Sequence, residues 1–247
     1  MARRILSTAV AVSFLVCLPA SAGLWDSLQQ VVGGLGGAAG TPAGAGLSPE
    51  EVTAGLREAL RVGAERAAGA ASRVGGFWED PAIRIPLPER LRAGANLLRT
   101  LGMGPRVDAF EETLNRAAEK AAAKALPIFG EAVAAMTFED VERIWRGGDT
   151  AATEYLRRTT EERLFAEFRP VVHDAAQEVG VTRAYQSLTA RPEISTLVAG
   201  SDLDLDDYTT TKALDGLFFL LASEEKRIRT DPVARTTDLL RKVFANP

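Results

Sequence analysis

Residues 48–73 read SPEEVTAGLREALRVGAERAAGAASR, and this stretch sets the fold class. Ser48 is placed to cap a helix, Pro49 to occupy its first turn, and Glu51 to close a reciprocal capping box. Val52, Leu56, Leu60 and Ala67 then recur at helical spacing to about Arg73. Ala59, Gly63, Ala67 and Ala71 form a face of small residues that lets a second helix approach closely.

The same grammar repeats downstream. A helix is expected over 89–101 with Gly102 as its stop. Val107, Phe110, Leu114, Ala118 and Ala121 mark a third, and Pro127 separates it from a further one reaching Met136. Thr137 caps a short helix carrying Val141 and Ile144, ended by Gly147-Gly148. Asp149 caps the next, which Arg169-Pro170 breaks after Phe168; Gly180 ends the turn of helix beyond. The longest helix is expected over about 206–229, and Asp231-Pro232 starts the last. No strand pattern is present. The expectation is an all-α domain, an irregular bundle of about eight helices.

One stretch departs from this grammar: G-G-F-W-E-D-P-A-I-R-I-P-L-P, residues 75–88. Its prolines forbid helix. Ile83, Ile85 and Leu87 alternate with Arg84 and Pro86, so the chain should run extended with one apolar side, lying in a groove between helices.

Outward from this domain the N-terminus changes character. Residues 33–46 are mostly Gly and Ala and read as a linker; residues 24–32 are a short amphipathic stretch. Residues 1–22 read as a signal peptide. Arg3 and Arg4 form a basic region, residues 5–18 an apolar run, and Ala20-Ser21-Ala22 a cleavage site. The run is shorter than the roughly 20 residues a bilayer span needs. Val16 stands where a lipobox before Cys17 needs a small residue. The domain organisation expected is thus 1–22 signal peptide, 23–46 amphipathic stretch and linker, and 47–247 helical domain, exported to the periplasm. Cleavage removes Cys17, the one cysteine, so stability must come from packing.

Composition narrows function further. A net charge of −4 with 6% aromatic residues speaks against a nucleic-acid binder. Without cysteine, thiol chemistry is closed. His173 is the one histidine; no G-x-S-x-G elbow accompanies it, and one imidazole cannot build a usual zinc site. Asp202, Asp204 and Asp206 mimic the opening of a calcium loop, but Asp207 replaces its glycine and Ala213 its closing glutamate; acidic residues at a helix start explain the cluster more simply. The glycines of 34–40 miss the dinucleotide spacing and follow no strand. Carboxylate pairs such as Glu111-Glu112 and Glu224-Glu225 have basic partners, among them Arg116 and Arg229 at i+4, and read as solvated faces. Arg-Thr-Thr occurs at 158–160 and 235–237; Thr160 can cap a helix at Glu161, whereas the second copy falls inside one. No metal site and no cofactor is expected.

The runs at 75–88, L-N-R-A-A-E-K-A at 114–121, G-G-D-T-A-A-T-E-Y-L-R-R-T-T at 147–160, K-A-L-D-G-L-F at 212–218 and D-P-V-A-R-T-T-D-L-L-R-K-V-F at 231–244 resemble a bacterial exported family, domain of unknown function 4197. The resemblance spans about 47–244. It implies a signal peptide and a helical domain, and it carries over no activity and no catalytic residue.

Four residues stand out as binding candidates. Phe77 and Trp78 follow two glycines and read either as exposed anchors or as core plugs. Arg84 is the charge inside the extended segment. Asp215, flanked by Leu214 and Leu217 and followed by Phe218 and Phe219, should be half-buried and paired with an arginine or set in a cleft. The leading expectation is a non-enzymatic domain that binds another cell-envelope component, protein or lipid-like, through 77–88 and its groove. The alternative is a helical pocket for a small apolar or lipid-like ligand, with Arg84 and Asp215 as polar contacts. An unrecognised hydrolase stands third.

Overall fold

A computed structural model describes residues 47–178, 190 and 204–244. The chain divides into two units, 1–46 and 47–247; the second is the one described. Gly180 and Asp202 lie outside the described residues, as does the expected signal peptide.

The described residues form eight α-helices and no strand: α1 (Pro49–Ser72), α2 (Glu89–Thr100), α3 (Gly104–Ala122), α4 (Ala125–Ala134), α5 (Phe138–Trp145), α6 (Ala151–Glu178), α7 (Leu205–Thr230) and α8 (Asp238–Phe244), with a 3₁₀ turn at Pro232–Ala234. The all-α irregular bundle is as expected. Two local start signals also hold. Ser48 accepts from the Glu51 N–H while the Glu51 carboxylate accepts from the Ser48 N–H, and Thr137 and Asp140 make the same box for α5. Gly102 follows α2 in the left-handed region at φ 79°, which glycine adopts without a Cβ clash.

α7 is the central helix, packed on α6, α1 and α3. Leu214, Leu217, Phe218 and Leu221 turn inward, and Phe129 from α4 meets Phe218 edge-on at 5.8 Å. The small face of α1 is buried throughout, and α1 packs chiefly on α7, α8 and α4. A second, smaller cluster joins Leu87, Leu91 and Leu98 to Val107, Phe110 and Leu114, fixing α2 on the first half of α3. No single described helix is long and apolar enough to cross a membrane.

Several expected boundaries are corrected. Asp231-Pro232 opens only the 3₁₀ turn and the last helix starts at Asp238, Pro127 falls inside the first turn of α4, and α6 at 28 residues is longer than α7. α6 does not break at Arg169-Pro170 but runs through it to Glu178. A proline there removes one hydrogen bond, yet Leu164, Phe168, Val172 and Ala175 form one buried stripe on both sides of it, and their burial holds the helix together. Asp149 does not supply the cap of α6. The Ala152 and Thr153 N–H groups donate instead to Glu225 of α7, at 3.0 and 2.8 Å. The two Arg-Thr-Thr copies exchange roles. Thr160 sits inside α6, its hydroxyl donating to the Leu156 carbonyl, and Thr237 accepts from the Leu240 N–H at the start of α8.

Candidate functional site

Segment 75–88 connects α1 to α2, and two glycines begin it. Gly75 has φ 83°, and a Cβ on Gly76 would run into the carbonyls that close α1. Together they fold the chain back beneath the end of α1. This places Phe77 in the core, fully buried, against Gly216 of α7, where a Cβ would come within 2.7 Å of its ring. Phe77 is therefore a core plug, and its expectation as an exposed anchor is corrected. Turns at 74–78 and 81–83 precede the extended part. Beyond them the expected alternation holds: Ile83, Ile85 and Leu87 are buried, Arg84 and Pro86 exposed.

Two polar residues on α3 clamp this irregular segment. Asn115, fully buried, offers its amide as a substitute peptide group. The Ile85 N–H donates to Asn115 Oδ1 at 2.8 Å, and Asn115 Nδ2 donates to the Ile85 carbonyl at 2.9 Å. One turn on, Glu119 Oε1 accepts from the Phe77 and Trp78 N–H groups at 3.2 and 3.3 Å. Arg116 donates to the other oxygen at 2.9 Å, so the buried charge is both neutralised and solvated by the protein. Buried backbone groups without a sheet or helix need such partners. Neither residue stands out in the sequence as a functional candidate. Their signal is a polar pair at i, i+4 on a helix face that an apolar segment must cover.

Trp78 is half-buried, and the Arg84 guanidinium lies 3.5 Å from the centre of its ring, an arginine–aromatic stack. Arg84 Nε also faces Glu111 Oε1 at 3.3 Å. Tyr208, near the start of α7, donates its hydroxyl to the Pro86 carbonyl at 2.8 Å, and burial pushes its phenol pKa up.

Between residues 82–86 and the outer face of α7 lies an open groove of about 510 Å³. Arg84 and Asp215 both line it, with Arg92, Lys212 and the exposed ring of Phe219. Trp78 forms the backing of Arg84. Three of the four expected residues thus converge on one place. Asp215, however, is exposed rather than half-buried. It points away from the apolar stripe of α7 and meets Lys212 at 3.3 Å and Arg157 at 3.5 Å; the buried neighbours that suggested otherwise, Leu214 and Leu217, belong to the opposite side of the same turn.

The remaining expectations resolve simply. Asp204 caps α7, accepting from the Asp206 and Asp207 N–H groups, and Arg169 of α6 bonds Asp204 and Asp207. The His173 ring stands 2.6 Å from Asp206, and that hydrogen bond and charge raise its pKa. Among the described residues no group of His, Cys, Asp and Glu is arranged to hold a metal. Glu225 is not on a solvated face. It is nearly buried, paired with Arg229 at 2.9 Å, and holds the start of α6. The small apolar cavity beside it measures about 20 Å³, room for roughly one water molecule.

No curated protein and no solved structure matches the chain. A family model described as "Protein of unknown function (DUF4197)" matches residues 46–245. That span takes in the clamped segment, the α3 residues that hold it and the whole of α7, and the chain belongs to this family.

Proposed function

We propose that the protein is an exported, non-enzymatic helical domain that holds another cell-envelope component in the groove between segment 77–88 and α7. The observation that carries this reading is the construction of the groove. Its irregular wall is clamped at Asn115 and Glu119, and its α7 wall presents the half-exposed ring of Phe219 to the same groove that Arg84 lines. A wall ordered in advance binds without a further ordering cost. Catalysis gains from an enclosed site that expels water, whereas this groove is open along its length. The Ala20-Ser21-Ala22 site supports export, with the processed chain beginning at Gly23.

The test is mild purification from the native envelope followed by mass spectrometry, with wild type beside Phe219→Glu. Residue 219 is exposed, so the variant should fold. The expected result is a component that accompanies the wild type and is lost from the variant, on a chain whose N-terminus is Gly23. Identical co-purifying material in both would overturn the groove as the binding face. An N-terminus at Met1 or an acylated Cys17 would overturn the processing.

A further inference from the structure

The groove has a chemical preference of its own. In a chain of net charge −4, it gathers three cations, Arg84, Arg92 and Lys212, against two carboxylates, Glu89 and Asp215. The cations are not equivalent. Lys212 is occupied by Asp215. Arg92 has no ion pair among the described residues. Arg84 lies over the ring of Trp78 and approaches Glu111 through Nε, and its two terminal amino groups, the prongs that grip a carboxylate side by side, make no hydrogen bond to a described residue. A guanidinium fixed by stacking has already lost its rotamer freedom, so less is lost when a carboxylate arrives.

The shape restricts what carries that carboxylate. The α7 wall from Tyr208 to Phe219 is about 16 Å long at roughly 1.5 Å per residue. An extended chain of about five residues, at ~3.3 Å each, matches it. The opposite wall cannot be joined as a sheet edge: Pro86 has no N–H, and its carbonyl is taken by Tyr208. Recognition therefore falls to side chains, with carboxylates on Arg84 and Arg92 and an apolar residue on Phe219.

We propose that the groove receives an extended acidic segment of a protein partner, about five residues long, read by Arg84 and Arg92 with Phe219 taking an intervening apolar side chain. This deepens the function proposed above and rests on the groove being the binding face.

The experiment is a two-dimensional NMR titration of residues 47–247 within the full processed chain. The probes are the blocked heptapeptide Gly-Asp-Glu-Leu-Asp-Glu-Gly, its amide counterpart Gly-Asn-Gln-Leu-Asn-Gln-Gly, and inorganic phosphate. The acidic peptide should shift the amides of 84, 92, 212 and 219. It should bind at least about tenfold more tightly than the amide peptide and weaken with added salt. Arg92→Gln and Arg84→Gln should each weaken it about tenfold, while Trp78→Leu, which removes the stacking support, should weaken it less. Arg84 and Arg92 are exposed and Trp78 is half-buried, and unchanged Tm values establish that the variants fold. Equal binding of the two peptides, shifts confined to another face, or phosphate producing the same shifts at lower concentration would each overturn the acidic-segment assignment. A photo-crosslinker at position 219 in the intact envelope separates the two levels. If it labels a component while the acidic peptide is silent, the ligand class is wrong and the groove stands. If it labels nothing and the peptide is silent, the groove itself is not the binding face.

Discussion

Gly216 and Gly63 are both buried helical glycines on the α7 side of the core, and they call for opposite substitutions. A Cβ at Gly216 would stand 2.7 Å from Phe77 Cε1 and 3.1 Å from Ile83 Cβ, atoms of a clamped segment that cannot retreat. Gly216→Ala should therefore destabilise by about 1–3 kcal/mol through overpacking. At Gly63 the nearest atoms are Leu221 Cδ1 at 3.7 Å and Glu224 Cβ at 4.0 Å, and the small apolar cavity opens beside it. Gly63→Ala should stabilise by roughly 1 kcal/mol, from helix propensity and a less disordered unfolded chain. Urea unfolding of the pair checks both signs at once; a loss of stability at Gly63 would mean that α1 and α7 are already in tight contact there.

At the scale of elements, α6 carries two testable features. Pro170→Ala restores a donor to the helix, and the buried stripe around it is unaffected, so a gain of about 1–2 kcal/mol in thermal unfolding is expected. Three residues along, His173 joins α6 to the start of α7 through Asp206. Its pKa is raised in the folded state, so its proton favours folding: the contribution is complete below the unfolded value of about 6.5 and is lost as pH rises through the higher folded value. As the one histidine, it can be followed by NMR without ambiguity. Its midpoint should lie above 6.5 and fall toward that value in Asp206→Asn; an unmoved midpoint would show that Asp206 is not the cause. These helices also show where local reading succeeds. The capping boxes at Ser48 and Thr137 are complete within four residues, so the sequence displays them whole. The start of α6 is capped from α7, far along the chain, and no window around Asp149 contains that information. Pro170 misleads for the same reason, because the stripe that overrides it is buried by other helices.

Across the whole molecule, two carboxylates of α7 define the difference between structural and surface charge. Glu225 meets two N–H groups and the Thr153 hydroxyl of α6 as well as Arg229, and Arg229 in turn bonds the Ile144 carbonyl at the end of α5. Glu225→Ala strands a nearly buried arginine and opens a helix terminus, at a cost on the order of 3–5 kcal/mol. Asp215→Ala removes only exposed pairs and should change stability by less than about 1 kcal/mol. Thermal unfolding of both variants tests the contrast; a large loss for Asp215 would show that its pairs with Lys212 and Arg157 matter to the fold. Of the site, Arg84 and Asp215 were legible as charges set in apolar stretches. Their sharing one pocket is the alternative reading of the sequence; how they come together was not legible, since the bonds that seat segment 75–88 are made by α3 and the start of α7, far along the chain. Which side of α7 carries Asp215 was equally hidden, because both of its faces read as apolar around that turn.

The amide clamp at Asn115 has a consequence for how the molecule breathes. Irregular segments usually exchange their backbone protons with solvent within the fraying motions of the native state, while helix centres wait for larger openings. Here the Ile85 proton is enclosed by a side chain anchored in the middle of α3, and those of Phe77 and Trp78 by Glu119 one turn away. They can reach deuterated water only when α3 itself departs. In a hydrogen-exchange map this stretch should therefore belong to the slowest class, matching Leu114 and Ala118 rather than the turn at 101–103. Rapid exchange at Ile85 would mean that the strap lifts while the bundle stays closed.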